Sequence, residues 1–389
     1  VALWLGLRLT PRPRPQPPCI VLMSIDTLRA DHLGCYGHPR PTSPNIDAFA
    51  AESVQFLHAY SQAPSTAASH MSLFTGMLPP LHRVTNTVAP DLSDLQPLIP
   101  GIATLAERLH ARGFLTAGFH GGGNVAPEFG FGRGFDRYDN GAVHWLGIWR
   151  NDRSLRHIRT WLERRRREQK PLFIFLHHYL CHDPYVNAPL ALVERFLPRP
   201  VKGLPRIRQE VPPRRTPAET MRQPFWRGID GGNPEHRRHV LSLYDAAVAH
   251  ADFVFGRVRR ILEEEGAYQR ALFILLSDHG EEFWEHGDTL HWRLFHETLH
   301  VPLLVKLPGR AEAGRKIAVP VRQFDIMPTL LEYAGIPRPA TLQAVSLMPL
   351  LRGKAAVPSP IVSFSDRFDF VRIVDGGFAY SSQPSGGQK

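Results

Sequence analysis

The chain has 389 residues, of which 43% are hydrophobic, and this share is ample for a sizeable buried core. No apolar run approaches the roughly 18 residues of a membrane-spanning helix, and the three cysteines, Cys19, Cys35 and Cys181, are too few and too scattered for a disulfide framework. The formal net charge of +10 favours an anionic partner.

The first 18 residues are predicted to be an N-terminal tail. A short apolar segment at 1–7 is followed by a stretch rich in proline and arginine. This pattern is compatible with the remnant of an export signal or an anchor, which favours a periplasmic or membrane-associated location. A fragment boundary is the alternative, and the sequence does not decide between them.

Strands and helices then alternate, which predicts an α/β fold with one large, mostly parallel sheet flanked by helices. Ser43 is predicted to be the N-cap of a helix that starts at Pro44. The further elements are expected as a strand at 54–60, helices at 69–74 and 102–111, a strand at 114–119, a helix at 152–168, a strand at 172–177, a long amphipathic helix from Pro234 to about 266, strands at 301–306 and 319–322, and a helix at 326–334. Strands at 361–364 and within 371–380 predict a small antiparallel subdomain.

Two of the predicted strands end in side chains that bind divalent metal ions. The strand at 20–25 runs into Asp26, and the strand at 271–276 is followed by Asp278 and His279. Ligands of open α/β sheets bind outside the carboxyl ends of the strands, so these residues predict one divalent metal ion between the two strand ends. The alternative is that Asp and His merely open the turns that follow.

The segment at 63–76 reads APSTAASHMSLFTG. It resembles the signature region of the sulfatase family within the alkaline phosphatase superfamily: Cys or Ser, any residue, Pro, any residue, Arg, and then a short helix ending Leu-x-Thr-Gly. In this register Thr66 takes the nucleophile position, Ala68 the proline position and His70 the arginine position. Threonine, with Ser-His in place of Ser-Arg, is a familiar variant of the signature.

The resemblance continues in order from about residue 19 to 338. The matching segments are a first metal loop at 24–37, a glycine-rich segment at 128–136, a histidine loop at 176–185, a second metal loop at 278–280 and a late helix at 325–331. The resemblance implies a sulfatase-like catalytic domain over 19–340, with a basic, proline-rich insertion at about 195–233. Residues 341–389 would form a partial, truncated C-terminal subdomain and a tail.

The resemblance also implies the roles of individual residues. It implies one divalent metal ion, manganese, zinc or calcium, with the ligands Asp26, Thr66, Asp278 and His279. An imidazole ligand moves the preference from calcium toward manganese or zinc. His182 and His291 would stabilise the charge of the transferred group, and one of them would protonate the leaving alcohol. His70 is a further catalytic candidate whose role is less defined.

The sequence therefore predicts a metal-dependent hydrolase that cleaves an anionic sulfate or phosphate ester through a metal-bound Thr66. Threonine is not of the residue type that sulfatases oxidise to an aldehyde, whereas a phosphorylated threonine can be attacked at phosphorus. Two alternatives stay open: a transferase of phosphoethanolamine or phosphoglycerol groups, and a binding homologue without turnover. No groove-reading motif supports nucleic acid as a partner, and membrane headgroups are an alternative partner of the basic surface.

Overall fold

The computed structural model describes residues 17–86, 94–140, 152–212, 222–355, 359–365, 370–375 and 378–382. Three predicted segments lie outside these residues, at least in part. They are the expected signal remnant at 1–7, the part of the insertion at 213–221 and the end of the C-terminal tail at 383–389. No helix in the described ranges combines the length and apolar character needed to cross a membrane.

The strands of the described residues form one large sheet and two small ones. In chain order they are β1 (Cys19–Ile25), β2 (Val54–Tyr60), β3 (Leu115–Phe119), β4 (Arg137–Asp139), β5 (Leu172–His178), β6 (Ala271–Leu276), β7 (Glu282–Phe283), β8 (Thr289–Leu290), β9 (His300–Lys306), β10 (Lys316–Ile317), β11 (Val321–Arg322), β12 (Ile361–Phe364), β13 (Val371–Asp375) and β14 (Phe378–Ser382). The large sheet has the order β10-β2-β9-β6-β1-β5-β3-β4, with β11 also beside β2. Its neighbouring strands are parallel except at β9, which runs antiparallel to β2 and β6.

Helices cover both faces of this sheet. They are α1 (Pro44–Ala50), α2 (Thr66–Thr75), α3 (Pro79–His82), α4 (Leu105–His110), α5 (Asp152–Glu168), α6 (Leu190–Phe196), α7 (Arg222–Trp226), α8 (Pro234–Glu264), α9 (His296–Leu299), α10 (Ile326–Tyr333) and α11 (Met348–Leu351). On β1, Val21 and Met23 join the core under α1, α5, α6 and α8, whereas Ile20 and Leu22 join the core under α2, α4 and α10. Strand β1 is therefore apolar at consecutive positions, as expected for a strand buried on both faces.

The predicted fold class is confirmed, including the small antiparallel sheet of β12, β13 and β14. Helix α4 begins three residues later than expected because Thr104 caps it: Thr104 Oγ1 accepts from Glu107 N, and the Glu107 side chain accepts from Thr104 N. Ser43 precedes α1 as expected, but its hydroxyl bonds Asp47 and the Gly34 amide instead of capping the helix. The expected absence of disulfides holds for the three cysteines, which are all free.

Candidate active site

The candidate site lies at the carboxyl ends of the central parallel strands. Strand β1 pairs with β6 on one side and with β5 on the other. Asp26 therefore leaves the sheet beside the segment that carries Asp278 and His279. All three side chains are completely buried.

Asp26, Asp278 and His279 face a common point. One ligand atom from each residue lies within 4.8 Å of the other two. Asp26 Oδ1 and Asp278 Oδ2 are buried and have no hydrogen-bond partner in the described part of the chain. A buried carboxylate oxygen without a partner is costly, so the three residues fit a divalent cation, which would satisfy both oxygens.

The charges of these groups also suit a cation. His279 Nδ1 donates to the carbonyl of Gly280 at 3.0 Å, which directs Nε2 at the cluster. Burial opposes a charge on this ring, but the Asp278 and Asp26 carboxylates raise the pKa of His279, and a bound cation would displace the proton from Nε2. Burial and the nearby Asp26 carboxylate raise the pKa of Asp278 to about 6. Burial acts in the same direction on Asp26, but the imidazoles of His177, His182 and His279 hold the pKa of Asp26 below its usual range. A bound cation would favour the charged form of both carboxylates.

Thr66 is the first residue of α2 and lies beside the same cluster. Its Oγ1 is 3.2 Å from Asp26 Oδ2 and 3.4 Å from His279 Nε2. The preceding Ser65 is extended, with φ −151°, so α2 begins at Thr66 and not at residue 69 as expected. This position puts the hydroxyl at a helix N-terminus, where the peptide dipoles favour a negative charge.

His70 lies one turn along α2 and packs behind Thr66. Its Nδ1 donates to the Thr66 carbonyl at 2.9 Å, and its Nε2 accepts from Ser24 Oγ at 2.9 Å. Burial, together with the nearby His177, lowers the pKa of His70 well below its ordinary value. His70 is thus a neutral imidazole that joins β1 to the backbone of Thr66, and both of its ring nitrogens are engaged.

His291 is placed beside the metal-ligating cluster. Its ring centroid is 4.4 Å from that of His279, and its Nδ1 is 2.9 Å from Glu281 Oε1. Burial and the neighbouring His279 and His182 imidazoles lower the pKa of His291 well below its usual value. The ring is therefore neutral and shares one hydrogen bond with the Glu281 carboxyl, whose own pKa is raised to about 8 by burial and by Asp183.

His182 lies next to His291 and nearer the surface. The two ring centroids are 5.4 Å apart, and His182 Nδ1 donates to the backbone carbonyl of Asp183 at 2.9 Å. Burial opposes a charge on His182, but the carboxylates of Asp183, Asp26 and Glu281 raise the pKa of His182 to about 9. At neutral pH the site therefore pairs a charged imidazole, His182, with a neutral one, His291.

Several residues that support the site have no signal in the sequence analysis. Gln323 joins three elements: its Nε2 donates to Ser277 O at 2.8 Å, and its Oε1 is 2.7 Å from Ser69 Oγ, which also reaches Asp278 O. His177, at the end of β5, has its Nε2 3.5 Å from Asp26 Oδ2. His177, Asp183 and Glu281 do carry a local signal: the first two lie in the predicted histidine loop at 176–185, and Glu281 directly follows the second metal loop at 278–280.

Known proteins resemble this chain over most of its length. A family model described as Sulfatase matches residues 18–336. The chain is 26% identical over 386 residues to an arylsulfatase of Clostridium perfringens, covering 86% of this chain and 78% of the relative. It is 25% identical over 397 residues to the iduronate 2-sulfatase of Homo sapiens, covering 88% and 69%. The crystal structure of a phosphonate monoester hydrolase of Agrobacterium radiobacter has the same fold, with a TM-score of 0.70 and 19% identity, covering 95% of this chain and 87% of that one.

Proposed function

The chain belongs to the sulfatase family, and we propose that this ester-bond hydrolase cleaves an anionic sulfate or phosphate ester with Thr66 Oγ1 as the attacking atom. The observation that carries this proposal is the position of the hydroxyl. Thr66 Oγ1 lies at the N-terminus of α2, 3.2 Å from Asp26 Oδ2 and 3.4 Å from His279 Nε2.

One divalent metal ion would be held by Asp26, Asp278 and His279, with Thr66 as a further ligand. The unpartnered Asp26 Oδ1 and Asp278 Oδ2 support this assignment. When bound, the ion would supply Lewis acidity to the transferred group and lower the pKa of the threonine hydroxyl. The imidazole in the ligand set favours manganese or zinc over calcium.

The residues around Thr66 suit a two-step displacement. In the first step Thr66 Oγ1 gives its proton to solvent and forms a bond to phosphorus or sulfur, while the bond to the leaving alcohol breaks. The charged His182 would give its proton to the leaving oxygen. In the second step water attacks the same central atom, and the neutral His291 would take a proton from the water and give it to Thr66 Oγ1 as the covalent bond to Thr66 breaks. His182 regains its proton from solvent, which returns the site to its starting state.

Within this mechanism His70 acts on the position of Thr66. Its Nδ1–H bonds the Thr66 carbonyl, and its Nε2 is occupied by Ser24 Oγ. The ring therefore fixes the first turn of α2 against β1 and would not contact the substrate. In the family signature an arginine stands at this position, so a neutral imidazole changes the local charge as well as the shape.

Thr66 favours phosphoryl over sulfuryl transfer. A threonine cannot become the aldehyde on which sulfatases of the usual type depend, whereas a phosphothreonine is open to attack at phosphorus. A screen of aryl sulfates, phosphodiesters and phosphonate esters with manganese, zinc and calcium tests this preference. We expect phosphodiester or phosphonate hydrolysis to be the faster reaction, and to be absent in Thr66→Ala. Efficient aryl sulfate hydrolysis with no phosphodiester activity under any metal would contradict it, and acceptor-dependent product would indicate a transferase.

A further inference from the structure

A second group of metal-ligating side chains lies outside the candidate active site. It consists of His32, His38 and Asp245, and one ligand atom from each lies within 4.8 Å of the other two. His32 and His38 belong to the segment that follows Asp26, and Asp245 belongs to α8. We call this group the loop–helix cluster. It shares no residue with the catalytic cluster.

The two imidazoles converge on one carboxylate oxygen. His38 Nε2 is 3.3 Å and His32 Nδ1 is 2.8 Å from Asp245 Oδ1. Two atoms that both bind one tetrahedral zinc ion at about 2.0–2.1 Å lie about 3.3 Å from each other. The His38 pair already has this spacing. The distance between His32 Nδ1 and Asp245 Oδ1 is that of a hydrogen bond. It would increase by about half an ångström when an ion binds both atoms.

His38 supplies the observation that a hydrogen-bonded cluster alone does not explain. Its Nε2 is buried and lies 3.3 Å from Asp245 Oδ1 without the geometry of a hydrogen bond, although the side chain itself is 11% exposed. The ring stacks on His32 with centroids 4.8 Å apart, which aims both imidazole edges at Asp245. A metal ion would satisfy the buried nitrogen, and the partial exposure of the ring leaves a route to solvent for a further ligand.

Arg40 holds the carboxylate in the orientation that such an ion requires. Its Nη1 donates to Asp245 Oδ2 at 2.5 Å, so Oδ1 is the oxygen left to the histidines. A ligating carboxylate that is hydrogen-bonded through its other oxygen is a common supporting arrangement in metal sites. The positive charge of Arg40 also repels a cation bound at Asp245. An ion that binds imidazole strongly, such as zinc, overcomes this repulsion more readily than calcium or magnesium, which prefer oxygen ligands.

We propose that His32, His38 and Asp245 bind a structural zinc ion that fastens the first metal loop to α8. The loop already contacts this helix through Tyr244, whose hydroxyl donates to Thr27 O at 2.6 Å and accepts from Arg29 N at 2.9 Å. An ion at the loop–helix cluster would strengthen the attachment of His32 and His38 to Asp245. The segment that begins at Asp26 would then be held to α8 at Tyr244 and at the ion.

Metal content is the direct test, because it needs no substrate. The full chain is freed of metal with a chelator, reloaded with zinc or cobalt(II), passed over a desalting column and measured by mass spectrometry of the metal. We expect about two ions per chain in the wild type, and about one in His38→Ala and in Asp278→Asn. The double variant should hold about none. The cobalt-loaded wild type should lose one visible absorption component in His38→Ala and a different one in Asp278→Asn.

His110→Ala is the matched control. His110 Nδ1 lies 3.3 Å from Asp136 Oδ1, the same spacing as the His38 pair, but no third ligand joins it among the described residues. Its removal should leave the metal content at the wild-type value. His38→Phe keeps an aromatic ring against His32 and serves if His38→Ala fails to fold. Equal metal content in the wild type, His38→Ala and His38→Phe would overturn the proposal. If Asp278→Asn still loses one ion in that case, the catalytic metal ion of the proposed function is supported all the same.

Discussion

Thr66 Oγ1 lies 3.4 Å from His279 Nε2, although the two residues are 213 positions apart in the chain. The sheet prepares this contact, because β1 and β6 are neighbours and place Asp26 and His279 side by side at their carboxyl ends. Helix α2 then brings its first residue to the same edge. The proposed nucleophile and the proposed metal ligands are thus held by one helix and two neighbouring strands, and reaction of such groups depends on their precise positioning.

Removal of the Thr66 hydroxyl should abolish turnover and leave the metal bound. In Thr66→Ala, Asp26, Asp278 and His279 remain as ligands, so metal content should stay near the wild-type value while product formation is lost. Thr66→Ser keeps the hydroxyl and is the matched control, with measurable activity expected. Protein quenched during turnover should carry phosphate on the peptide that contains Thr66, as detected by mass spectrometry. Substantial turnover in Thr66→Ala would remove this residue from the mechanism.

Asp278 should be required for metal binding. Asp278→Asn removes the negative charge from a buried ligand whose Oδ2 has no other partner among the described residues, so we expect a marked loss of metal by mass spectrometry of the metal. Asp288 is an exposed aspartate between β7 and β8, and its Oδ1 accepts from Thr289 N. Asp288→Asn should retain the metal, and a similar loss in both variants would point to general destabilisation.

Gln323 should stabilise the site without taking part in the chemistry. Its amide bonds Ser277 O and Ser69 Oγ, so Gln323→Leu leaves buried polar groups unpaired. The expected cost is about 1–3 kcal/mol in the free energy of unfolding, measured by urea denaturation. Gln323→Glu keeps an acceptor for Ser69 but loses the donor to Ser277, and an intermediate cost is expected. Unchanged stability in Gln323→Leu would show that these bonds are replaced.

The sequence predicted those parts of the site that depend on strand ends. Asp26 and Asp278 follow apolar runs long enough to be buried strands, and the C-terminal edge of such a sheet gathers them without further information. The start of α4 was predicted three residues too early, although Thr104 and Glu107 have the spacing of a capping box. The start of α2 was predicted three residues too late, at residue 69, because only the extended backbone of Ser65 makes Thr66 the first helical residue.

Sequence patterns did not predict the buried residues that support the candidate active site. Gln323 and Ser24 meet the site through tertiary contacts, and nothing in their local sequence distinguishes them from other buried polar residues. The tautomers of His70 and His279 likewise depend on carbonyl groups that the fold places beside their rings. The catalytic roles of His70, His182 and His291 stay predictions.

His182 should set the alkaline limit of activity. Its pKa is raised to about 9, with burial opposing the shift and Asp183, Asp26 and Glu281 causing it. The protonated ring donates to the leaving oxygen, so turnover should hold below that pH and fall as the pH rises through about 9. His182→Gln retains a donor but does not titrate, so its turnover should be about 10²–10³-fold lower and should lack this alkaline limb. His110→Gln, at an exposed position, should keep the wild-type profile. An unchanged alkaline limb in His182→Gln would assign the titration to another group and leave His182 without the role of proton donor.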